Sequence, residues 1–465
     1  MSQLMRASIN LLELSAEEIK RLVKGGEITV AVFGLGSVGL AIATVWLRAG
    51  ARVIGVDIDS RKVRDLNAGL VQHSEKVVVE TIKDALRTGR FYATLSGEEA
   101  TKKSHLLDII VPVLYDSNGP DFTSLDSVVA VIGRNMVRGQ AVILETSVPP
   151  LTTEYRIKPV LEELSGLKAD EDFALIYSPE RVLVGRAVED IEIRYPKIVS
   201  GIGPKSLALA EALYSIIARA GVVRASSPRV AEFAKLAEGV YRDVNIALAN
   251  ELSRLSLVLN VDFIEVIEIA NTQPYSHLHK PGAGVGGHCI PIYPRFLSWL
   301  GYLHGVDLKL VELARRINDT QPLQVVRLLL NEIGDAGRKK IRVAVLGLAY
   351  RGNVPISTGS PTYHIVRELV RLGYDVIVHD PLIDVDPLLS SLGVRLVKNL
   401  SEAVEGSDAI IVATDHSHYK EVTPCRLAEL SRKPDLVIID ARDIIDVSEC
   451  CGVRYIGIGR GRRCA

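Results

Sequence analysis

One strand–turn–helix–strand segment near the N-terminus constrains the fold of this chain more than any other feature. A predicted strand at residues 28–33 runs into Gly34-Leu-Gly36-Ser-Val-Gly39, an apolar helix follows, and a second strand ends at Asp57. The three glycines allow a tight turn, a close approach of pyrophosphate and close helix–strand packing, while the helix N-terminus faces the phosphates. Asp57 is placed to bond the adenosine ribose and to repel a 2′-phosphate. The segment therefore predicts a Rossmann-type NAD site, in preference to NADP or to a turn without a ligand.

Apolar runs of strand length alternate with helical segments along most of the chain. The first series continues at residues 107–112, 140–149 and 174–177, and a second series follows at residues 340–347, 374–380, 409–413 and 436–440. In the second series, Gly347 and Asp380 repeat the positions that Gly34 and Asp57 hold in the first. Apolar runs between helices are typical of buried parallel strands. The predicted fold class is α/β, with two doubly wound Rossmann-like domains joined by a central helical domain.

A long helix is predicted over residues 229–260, with Pro228 at its start. Its apolar stripe comprises Phe233, Ala237, Tyr241, Val244, Leu248, Leu252, Leu255 and Leu259. Because such a stripe exceeds what one helix can bury against a small domain, it predicts a dimer interface. Lys235 lies on a neighbouring face, where a solvated lysine is the ordinary alternative to a catalytic one.

Between the two series lies the loop Pro281-Gly-Ala-Gly-Val-Gly-Gly-His-Cys-Ile-Pro-Ile-Tyr-Pro294. Its glycines let the backbone approach a ligand closely, and its prolines stop a helix or strand from running through. A thiol that such a rigid loop presents is a candidate nucleophile, because exposed and positioned cysteines react. The alternative for Cys289 is a turn with a small, packed thiol.

Two polar residues occur where predicted strands of the first series end. Ser147 lies near the end of the run 140–149, and Glu180 follows the run 174–177. Open α/β sheets bind ligands at the carboxyl ends of their strands, so both residues are site candidates. A helix or turn cap for Ser147 and a solvated loop acid for Glu180 are at least equally good interpretations.

Composition argues against several other functions. A formal net charge of −1 gives no electrostatic reason to expect nucleic acid or an anionic membrane as a partner. We expect no signal peptide and no membrane span, and therefore a cytoplasmic protein. Five cysteines without framework spacing indicate a reducing compartment, although Cys450, Cys451 and Cys464 crowd the C-terminus and leave a disulfide there open. No histidine lies near that group in sequence, so we expect no metal site.

Taken together, the motifs resemble the nucleotide-sugar 6-dehydrogenases of the UDP-glucose/GDP-mannose dehydrogenase family over nearly the whole chain. The motifs are the glycine turn with Asp57, Ser178-Pro-Glu-Arg-Val-Leu, Lys235-Leu-Ala-Glu with Tyr241-Arg-Asp-Val-Asn, Gly286-Gly-His-Cys-Ile-Pro291 and Gly347-Leu-Ala-Tyr. The Gly-Gly-His-Cys loop and the Tyr-Arg-Asp-Val-Asn helix are similar to the branch that oxidises UDP-N-acetylhexosamines, with UDP-N-acetyl-D-mannosamine as the favoured substrate.

The resemblance implies a four-electron oxidation of a C6 alcohol to a carboxylate with two NAD⁺. Glu180 with an ordered water would take the hydroxyl proton, the Cys289 thiolate would capture the aldehyde, and Lys235 would stabilise the oxyanions. The implied NAD contacts are Gly34, Gly36, Val38, Gly39, Asp57, Lys62, Pro112 and Ser147. The implied contacts to the UDP sugar are Glu180, Arg181, Val182, Lys235, Tyr241, Arg242, His277, Gly284, Gly287, His288, Tyr350 and Arg442.

Four positions depart from the family pattern. Tyr293 replaces an Asp of the cysteine loop, Gly239 replaces an Asn of the long helix, and Tyr275 replaces an Arg before the glycines. The stretch around Thr358 lacks an arginine that is often placed at the cofactor phosphates. Because the nucleophile and the NAD turn are retained, the departures favour a subfamily with a rebuilt pocket over a degenerate enzyme.

The resemblance also suggests how the chain is divided. The predicted parts are an N-terminal helical extension at 1–26, an NAD-binding domain at 27–223, a central helical domain at 224–336 and a UDP-sugar-binding domain at 337–465. The predicted partners are the UDP sugar and further copies of the same chain. The epimer stays open, since N-acetylmannosamine and N-acetylglucosamine differ only at C2. UDP-glucose as substrate and a catalytically inactive nucleotide-sugar sensor are the remaining alternatives.

Overall fold

The computed structural model describes residues 9–334, 341–447 and 452–464, the side chains of 462–464 excepted. The chain divides into two compact units, Met1–Ala237 and Glu238–Ala465. Each unit contains one large Rossmann-like sheet. The four-part division at residues 26, 223 and 336 stays a prediction.

The first unit is built around a mostly parallel sheet. Its strands, with a small separate hairpin formed by the fifth and sixth, are β1 (Thr29–Phe33), β2 (Arg52–Val56), β3 (Phe91–Thr94), β4 (Leu106–Ile109), β5 (Leu114–Asp116), β6 (Gly119–Asp121), β7 (Ala141–Leu144), β8 (Ala174–Tyr177), β9 (Lys197–Gly201) and β10 (Val222–Arg224). In the described residues the large sheet has the order β10-β9-β8-β7-β4-β1-β2-β3. Only the β8–β9 pair in it is antiparallel. Read from the other edge, the six parallel strands β3-β2-β1-β4-β7-β8 have the order of a dinucleotide-binding sheet.

Helices cover the faces of this sheet. They are α1 (Ala16–Lys24), α2 (Ser37–Ala49), α3 (Ser60–Asn67), α4 (Lys76–Arg87), α5 (Gly97–Lys103), α6 (Thr123–Asn135), α7 (Lys158–Ser165), α8 (Ala187–Glu189) and α9 (Pro204–Ile217). Strands β4, β7 and β8 are buried along their whole length, as expected of strands covered on both faces. Helix α1 begins with a capping box, in which Ser15 and Glu18 satisfy each other's backbone N–H groups.

The long helix α10 runs from Pro228 to Leu259, within one residue of its predicted bounds. It ends at Asn260, whose φ of 53° lies in the left-handed region. Most of the predicted apolar stripe is exposed, including Phe233, Tyr241, Leu248, Leu252, Leu255 and Leu259. The stripe is therefore an uncovered apolar face within the chain.

The second unit joins further helices to a second sheet. The helices after α10 are α11 (Phe263–Ala270), α12 (Tyr293–Leu303), α13 (Lys309–Ile333), α14 (Pro361–Arg371), α15 (Pro387–Ser391), α16 (Leu400–Val404) and α17 (Pro424–Ser431). The strands are β11 (Arg342–Leu346), β12 (Asp375–His379), β13 (Arg395–Val397), β14 (Ala409–Val412), β15 (Val437–Asp440), β16 (Arg454–Gly457) and β17 (Gly461–Cys464). Their order in the described part of the chain is β13-β12-β11-β14-β15-β16-β17, with β17 antiparallel.

Two findings bear on the predictions from composition. No helix in the described ranges is long and apolar enough to cross a membrane. Cys425 is disulfide-bonded, which the cysteine spacing did not predict, whereas Cys289 is a free thiol. Cys450 and Cys451 lie outside the described residues, as does the side chain of Cys464.

Candidate active site

The glycine turn after β1 leaves an open cradle at the N-terminus of α2. A Cβ atom at Gly39 would overlap the carbonyl oxygen of Gly34, and Gly34 itself has a φ of 103°. At Gly36, by contrast, a Cβ atom would meet no protein atom within 4 Å. The open side of Gly36 fits a pyrophosphate that approaches the backbone at the helix N-terminus, where Val38 lies in the first turn.

Asp57 lies at the end of β2, and its carboxylate is largely buried and held by three donors. It accepts hydrogen bonds from the backbone N–H groups of Leu35 and Asp59, both at 3.0 Å, and from Lys62 Nζ at 2.8 Å. Burial acts to raise the pKa of Asp57, but these hydrogen bonds outweigh it and lower the pKa. The neighbouring Ile58 is 97% exposed. A charged carboxylate beside an exposed apolar side chain fits the ribose and adenine of a dinucleotide.

Pro112 and Ser147 follow β4 and β7, which are neighbouring parallel strands. The hydroxyl of Thr146 donates to the carbonyl of Val111 at 2.8 Å and ties the two loops together. The strand order reverses between β1 and β4, which is where open α/β sheets bind ligands. The fold thus brings these two candidates to the same edge as the glycine turn.

Glu180 lies just after β8 and is 8% exposed. Its carboxylate pairs with the ammonium group of Lys197 at the start of β9. The interpretation of Glu180 as a solvated loop acid is therefore wrong. Val182 and Arg181 follow it, and the guanidinium of Arg181 donates to the carbonyl of Pro196.

Lys235 lies on α10 and is 9% exposed, so the interpretation as a solvated lysine is also wrong. One turn earlier, the fully buried Glu232 accepts hydrogen bonds from the N–H groups of Leu151 and Thr153, at 2.7 and 2.9 Å. Burial raises the pKa of Glu232 to about 7, against the opposing effect of these hydrogen bonds. The contacts fix the loop after β7 to the helical turn that carries Lys235.

In the second unit, the glycine-rich loop lies flat against the residues that follow β11. A Cβ atom at Gly287 would come within 2.9 Å of the Tyr350 ring, and one at Gly286 within 2.6 Å of the Gly359 carbonyl. The Gly287 N–H donates to the carbonyl of Thr358 at 3.1 Å. Close packing therefore requires glycine at these positions of the loop.

Two side chains that the sequence analysis missed hold the start of this loop. Asn250 Oδ1 accepts the Gly282 N–H at 2.9 Å, and Gln321 Nε2 donates to the Gly282 carbonyl at 3.0 Å. Next comes Gly284, where a Cβ atom would stand 3.2 Å from Pro322. An Asn and a Gln on otherwise apolar helix faces were the available signal, since buried amides need partners.

Cys289 presents an exposed thiol that forms no disulfide. Its carbonyl oxygen accepts the N–H groups of Ile292 and Tyr293, both at 3.0 Å, so it occupies the turn directly before α12. The neighbouring His288 is exposed as well. The interpretation of Cys289 as a packed structural thiol is therefore wrong.

Tyr350 lies within electrostatic reach of Cys289. Burial raises the pKa of Tyr350; Arg351 and Arg242 oppose this effect, whereas Cys289 adds to it. Arg442 is partly buried, and its Nε donates to a backbone carbonyl at 2.8 Å. The second unit therefore brings a thiol, a phenol and several guanidinium groups into one region.

Asn245 joins two of the predicted substrate residues and was itself not predicted. Its Nδ2 donates to the hydroxyl of Tyr241 at 3.2 Å and to the carbonyl of His277 at 2.6 Å. Its Oδ1 accepts the N–H of His279 at 2.9 Å. The segment before the glycine-rich loop is thereby fastened to α10, where Tyr241 and Arg242 are exposed.

Two of the four departures from the family pattern face each other. The Tyr293 ring lies where a Cβ atom at Gly239 would stand, with its Cγ and Cβ at 3.2 and 3.3 Å. Tyr293 is buried, whereas Tyr275 is 93% exposed. The glycine and the buried tyrosine are therefore one matched pair rather than two independent losses.

Comparison with known proteins assigns the family. Residues 28–218 match the NAD binding domain of the UDP-glucose/GDP-mannose dehydrogenase family, residues 229–320 its central domain and residues 344–447 its UDP binding domain. The chain belongs to this family and is an NAD-dependent nucleotide-sugar dehydrogenase. The predicted family, fold class and cofactor are confirmed.

Individual relatives cover nearly the whole chain. UDP-N-acetyl-D-mannosamine dehydrogenase of Pyrococcus horikoshii is 35% identical over 434 residues, which are 93% of this chain and 99% of that protein. A solved structure of the Pyrococcus horikoshii enzyme matches with a TM-score of 0.85 and 34% identity, over 93% of this chain and 100% of the other. NDP-N-acetyl-D-galactosaminuronic acid dehydrogenase of Ralstonia solanacearum is 32% identical over 424 residues, 89% of this chain and 95% of that protein.

Proposed function

We propose that this enzyme oxidises the C6 hydroxyl of UDP-N-acetyl-D-mannosamine to the uronate, in a four-electron reaction with two NAD⁺. The two relatives named above support an acetamido sugar as substrate. One observation carries the covalent route, namely the exposed free thiol of Cys289 on a loop packed against Tyr350. A thiol so presented can add to an aldehyde before the aldehyde leaves.

Each residue role follows from its chemistry. NAD⁺, when bound at the glycine turn and Asp57, supplies the hydride acceptor. Glu180, acting through an ordered water, removes the proton of the C6 hydroxyl. The Cys289 thiolate adds to C6 of the resulting aldehyde, and loss of a second hydride from C6 leaves a thioester. Water then cleaves the C–S bond, which releases the carboxylate and restores the thiol, while Lys235 stabilises the oxyanions of these steps.

The acetamido group would be recognised by aromatic and imidazole side chains. Tyr275 and His277 are exposed, and Tyr293 is held in place over Gly239. Together they would form a pocket wall without the charged residues of the family pattern. The nucleotide would lie on the second sheet, with Arg442 and Tyr350 among its contacts.

We further propose that the enzyme is a cytoplasmic homodimer or higher homo-oligomer, joined through α10. The exposed apolar stripe of α10 supports this, because large uncovered apolar faces mark protein–protein interfaces. Substituting Leu255→Glu together with Leu259→Glu should then yield a monomer by light scattering at micromolar concentration. A monomeric wild-type protein under the same conditions would refute the proposal.

The substrate proposal is tested with a panel of UDP sugars and limiting substrate. We expect two NADH per UDP-N-acetyl-D-mannosamine and the highest kcat/KM for that sugar. UDP-glucose should be used at least about tenfold less efficiently, because an acetamido pocket left unfilled keeps polar groups unpaired. Equal kcat/KM for UDP-glucose would refute the acetamido preference. Tight binding of UDP sugars without any NADH would instead identify a nucleotide-sugar sensor.

A further inference from the structure

Three carboxylate side chains gather around one buried lysine at the carboxyl edge of the first sheet. Asp108 belongs to β4, Glu145 follows β7, Glu180 follows β8, and Lys197 begins β9. All four side chains are buried, and Asp108 is completely so. Lys197 Nζ pairs with Glu180 and lies 3.5 Å from Glu145 Oε1. The single lysine is therefore shared between two acids, with a third nearby.

The direction of β9 explains how the lysine reaches this edge. Strand β9 is antiparallel to β8, with Tyr177 opposite Ser200, so β9 begins at the edge of the sheet where β8 ends. In an all-parallel sheet a residue at the start of a strand would lie at the amino edge instead. The reversal places a positive charge where open α/β sheets bind ligands.

The buried charges are far from balanced unless one carboxyl group keeps its proton. Three carboxylates and one ammonium would leave two uncompensated negative charges out of contact with water, which is costly. Burial raises the pKa of Glu145 well above its ordinary value, and the charges of Asp108 and Glu180 add to this against the opposing Lys197. The hydroxyl of Tyr214, on α9, donates to Glu145 Oε1.

The pKa values of Asp108 and Lys197 are shifted as well. Burial raises the pKa of Asp108 to about 7, although Lys197 and the indole N–H of Trp46 oppose it. For Lys197, burial acts to lower the pKa, but attraction by Glu145, Glu180 and Asp108, together with the hydrogen bond to Glu180, outweighs it and raises the pKa. Of these contributions, only that of Glu145 is lost when Glu145 is neutral. The lysine therefore remains an ammonium ion at neutral pH.

We propose that Lys197 is the positioning residue of Glu180, and that Glu145 carries a proton at neutral pH so that the lysine charge is committed to Glu180. The proposal rests on the role of Glu180 as the base in the proposed function. A neutral Glu145 does not compete for the ammonium group, so Lys197 holds the Glu180 side chain in one orientation. Neighbouring carboxyl groups pushed to different charge states are how one site separates an acid from a base.

The proposal is tested with three matched variants, assayed for NADH formation with UDP-N-acetyl-D-mannosamine across pH. Glu145→Gln is a neutral isostere of the protonated acid and should keep kcat at neutral pH within about twofold. Lys197→Met should lower kcat at least about tenfold, with the KM for NAD unchanged, and move the acid limb of the pH profile upward by about one pH unit. Lys197→Arg should recover part of the kcat. Glu180→Gln is the reference for loss of the base.

The outcomes separate this proposal from the proposed function. A Glu145→Gln variant as inactive as Glu180→Gln, or a Lys197→Met variant with wild-type kcat and pH profile, overturns the proposal alone. A fully active Glu180→Gln variant overturns the role of Glu180 as the base, and this proposal with it, while leaving the proposed substrate and reaction in place.

A measurement without substrate tests the proton on Glu145 directly. Because the folded-state pKa of Glu145 lies above its ordinary value of 4.5, the folded state binds a proton that the unfolded state releases. This contribution to stability is complete below the unfolded pKa and is lost as pH rises towards the folded pKa. The Tm of the wild type should therefore fall more steeply with rising pH above about pH 5 than the Tm of Glu145→Gln. Parallel curves would overturn the assignment, whatever the substrate.

Discussion

The turn after β1 and the turn after β11 have the same backbone geometry. Gly34 has a φ of 103° and Gly347 a φ of 100°. Each glycine donates its N–H to the last carbonyl of the neighbouring strand, at 2.8 and 2.7 Å. In each, the N–H of the following residue donates to the aspartate after that strand, at 3.0 and 2.8 Å. The repeat in the sequence, Gly34 with Asp57 and Gly347 with Asp380, is therefore also a repeat in the structure.

The two aspartates nevertheless serve different purposes. Asp57 stands beside the exposed Ile58 with its carboxylate at the edge of the sheet. Asp380 is fully buried and accepts four backbone N–H groups at 2.8 to 3.1 Å, with His416 Nε2 at 3.2 Å. Burial acts to raise the pKa of Asp380, and the bonds from His416 and the backbone outweigh it. The first aspartate is only partly buried and lies beside an exposed residue, whereas the second is fully buried and committed to the fold.

The two units also differ in where the helix after the glycine turn begins. Helix α2 starts at Ser37, directly after the glycine turn, but α14 starts only at Pro361. The intervening residues of the second unit include Tyr350, Thr358 and Gly359, which contact the cysteine loop. In the first unit the helix N-terminus directly follows the glycine turn, which is the arrangement of a dinucleotide site. The second sheet uses the same positions to support the cysteine loop.

The largest effect is expected for Cys289→Ala, a variant of the second unit that should change kcat but not NAD binding by the first unit. Cys289→Ala should lower kcat by several orders of magnitude, because the covalent step is deleted. NAD titrations should give an unchanged Kd, since the first unit holds the cofactor. Near-normal uronate formation by this variant would remove the proposed contribution of the second unit. Mass spectrometry of the wild-type peptide that carries Cys289 should show a sugar adduct.

Exchanging each aspartate for alanine tests the contrast directly. Asp380→Ala leaves several buried N–H groups without an acceptor and should lower the free energy of unfolding by about 3 kcal/mol or more. Asp57→Ala should cost less than about 1 kcal/mol but raise the KM for NAD and relax the preference over NADP. Denaturant unfolding and cofactor kinetics measure both. An equal loss of unfolding free energy in Asp57→Ala and Asp380→Ala would show that the two aspartates do not differ in their structural role.

The paired glycines offer a comparable test. Gly36→Ala meets no protein atom and should fold normally, yet reduce NAD affinity by about tenfold where the pyrophosphate approaches. Gly347→Ala would place a Cβ atom against Thr414 at a φ of 100° and should cost about 2 kcal/mol of stability. The readouts are NAD titration and Tm. Normal NAD affinity in Gly36→Ala would contradict the assignment of the cradle.

The smallest effect concerns the Gly239–Tyr293 pair within the second unit. A helical Gly→Ala change ordinarily stabilises a protein by about 1 kcal/mol. At Gly239 the new methyl group would collide with the Tyr293 ring, so Gly239→Ala should instead lower the Tm by a few degrees. Adding Tyr293→Ala should relieve the collision, with Tyr293→Ala alone as the control. A raised Tm in Gly239→Ala would show that the ring is not fixed there.

Local signals were sufficient for most of the fold. Strand β8 has its predicted bounds, and the length of α10 followed from the spacing of its apolar residues and from Pro228. Strand β9 was missed, because a five-residue strand that begins with Lys197 and ends with Ser-Gly lacks a clear apolar run. Its antiparallel direction depends on partners that no local pattern encodes.

The candidate site divides in the same way. Glycines, the cysteine and the acid after β2 carry motifs and could be found by inspection. Asn245, Asn250 and Gln321 act by bridging segments far apart in sequence, so only the fold reveals them. The contact between Gly239 and Tyr293 could not be predicted for the same reason, so each residue by itself was interpreted as the loss of a residue typical of the family.

The clamp on Gly282 also makes the cysteine loop observable by hydrogen exchange. Its amide is buried and bonded to Asn250, a residue in the middle of α10. Exchange of this single amide with deuterium requires the loop to leave the helix, so its protection factor measures how often the loop that carries Cys289 opens. The frequency of local opening of the cysteine loop can therefore be measured at one amide, without substrate, cofactor or turnover.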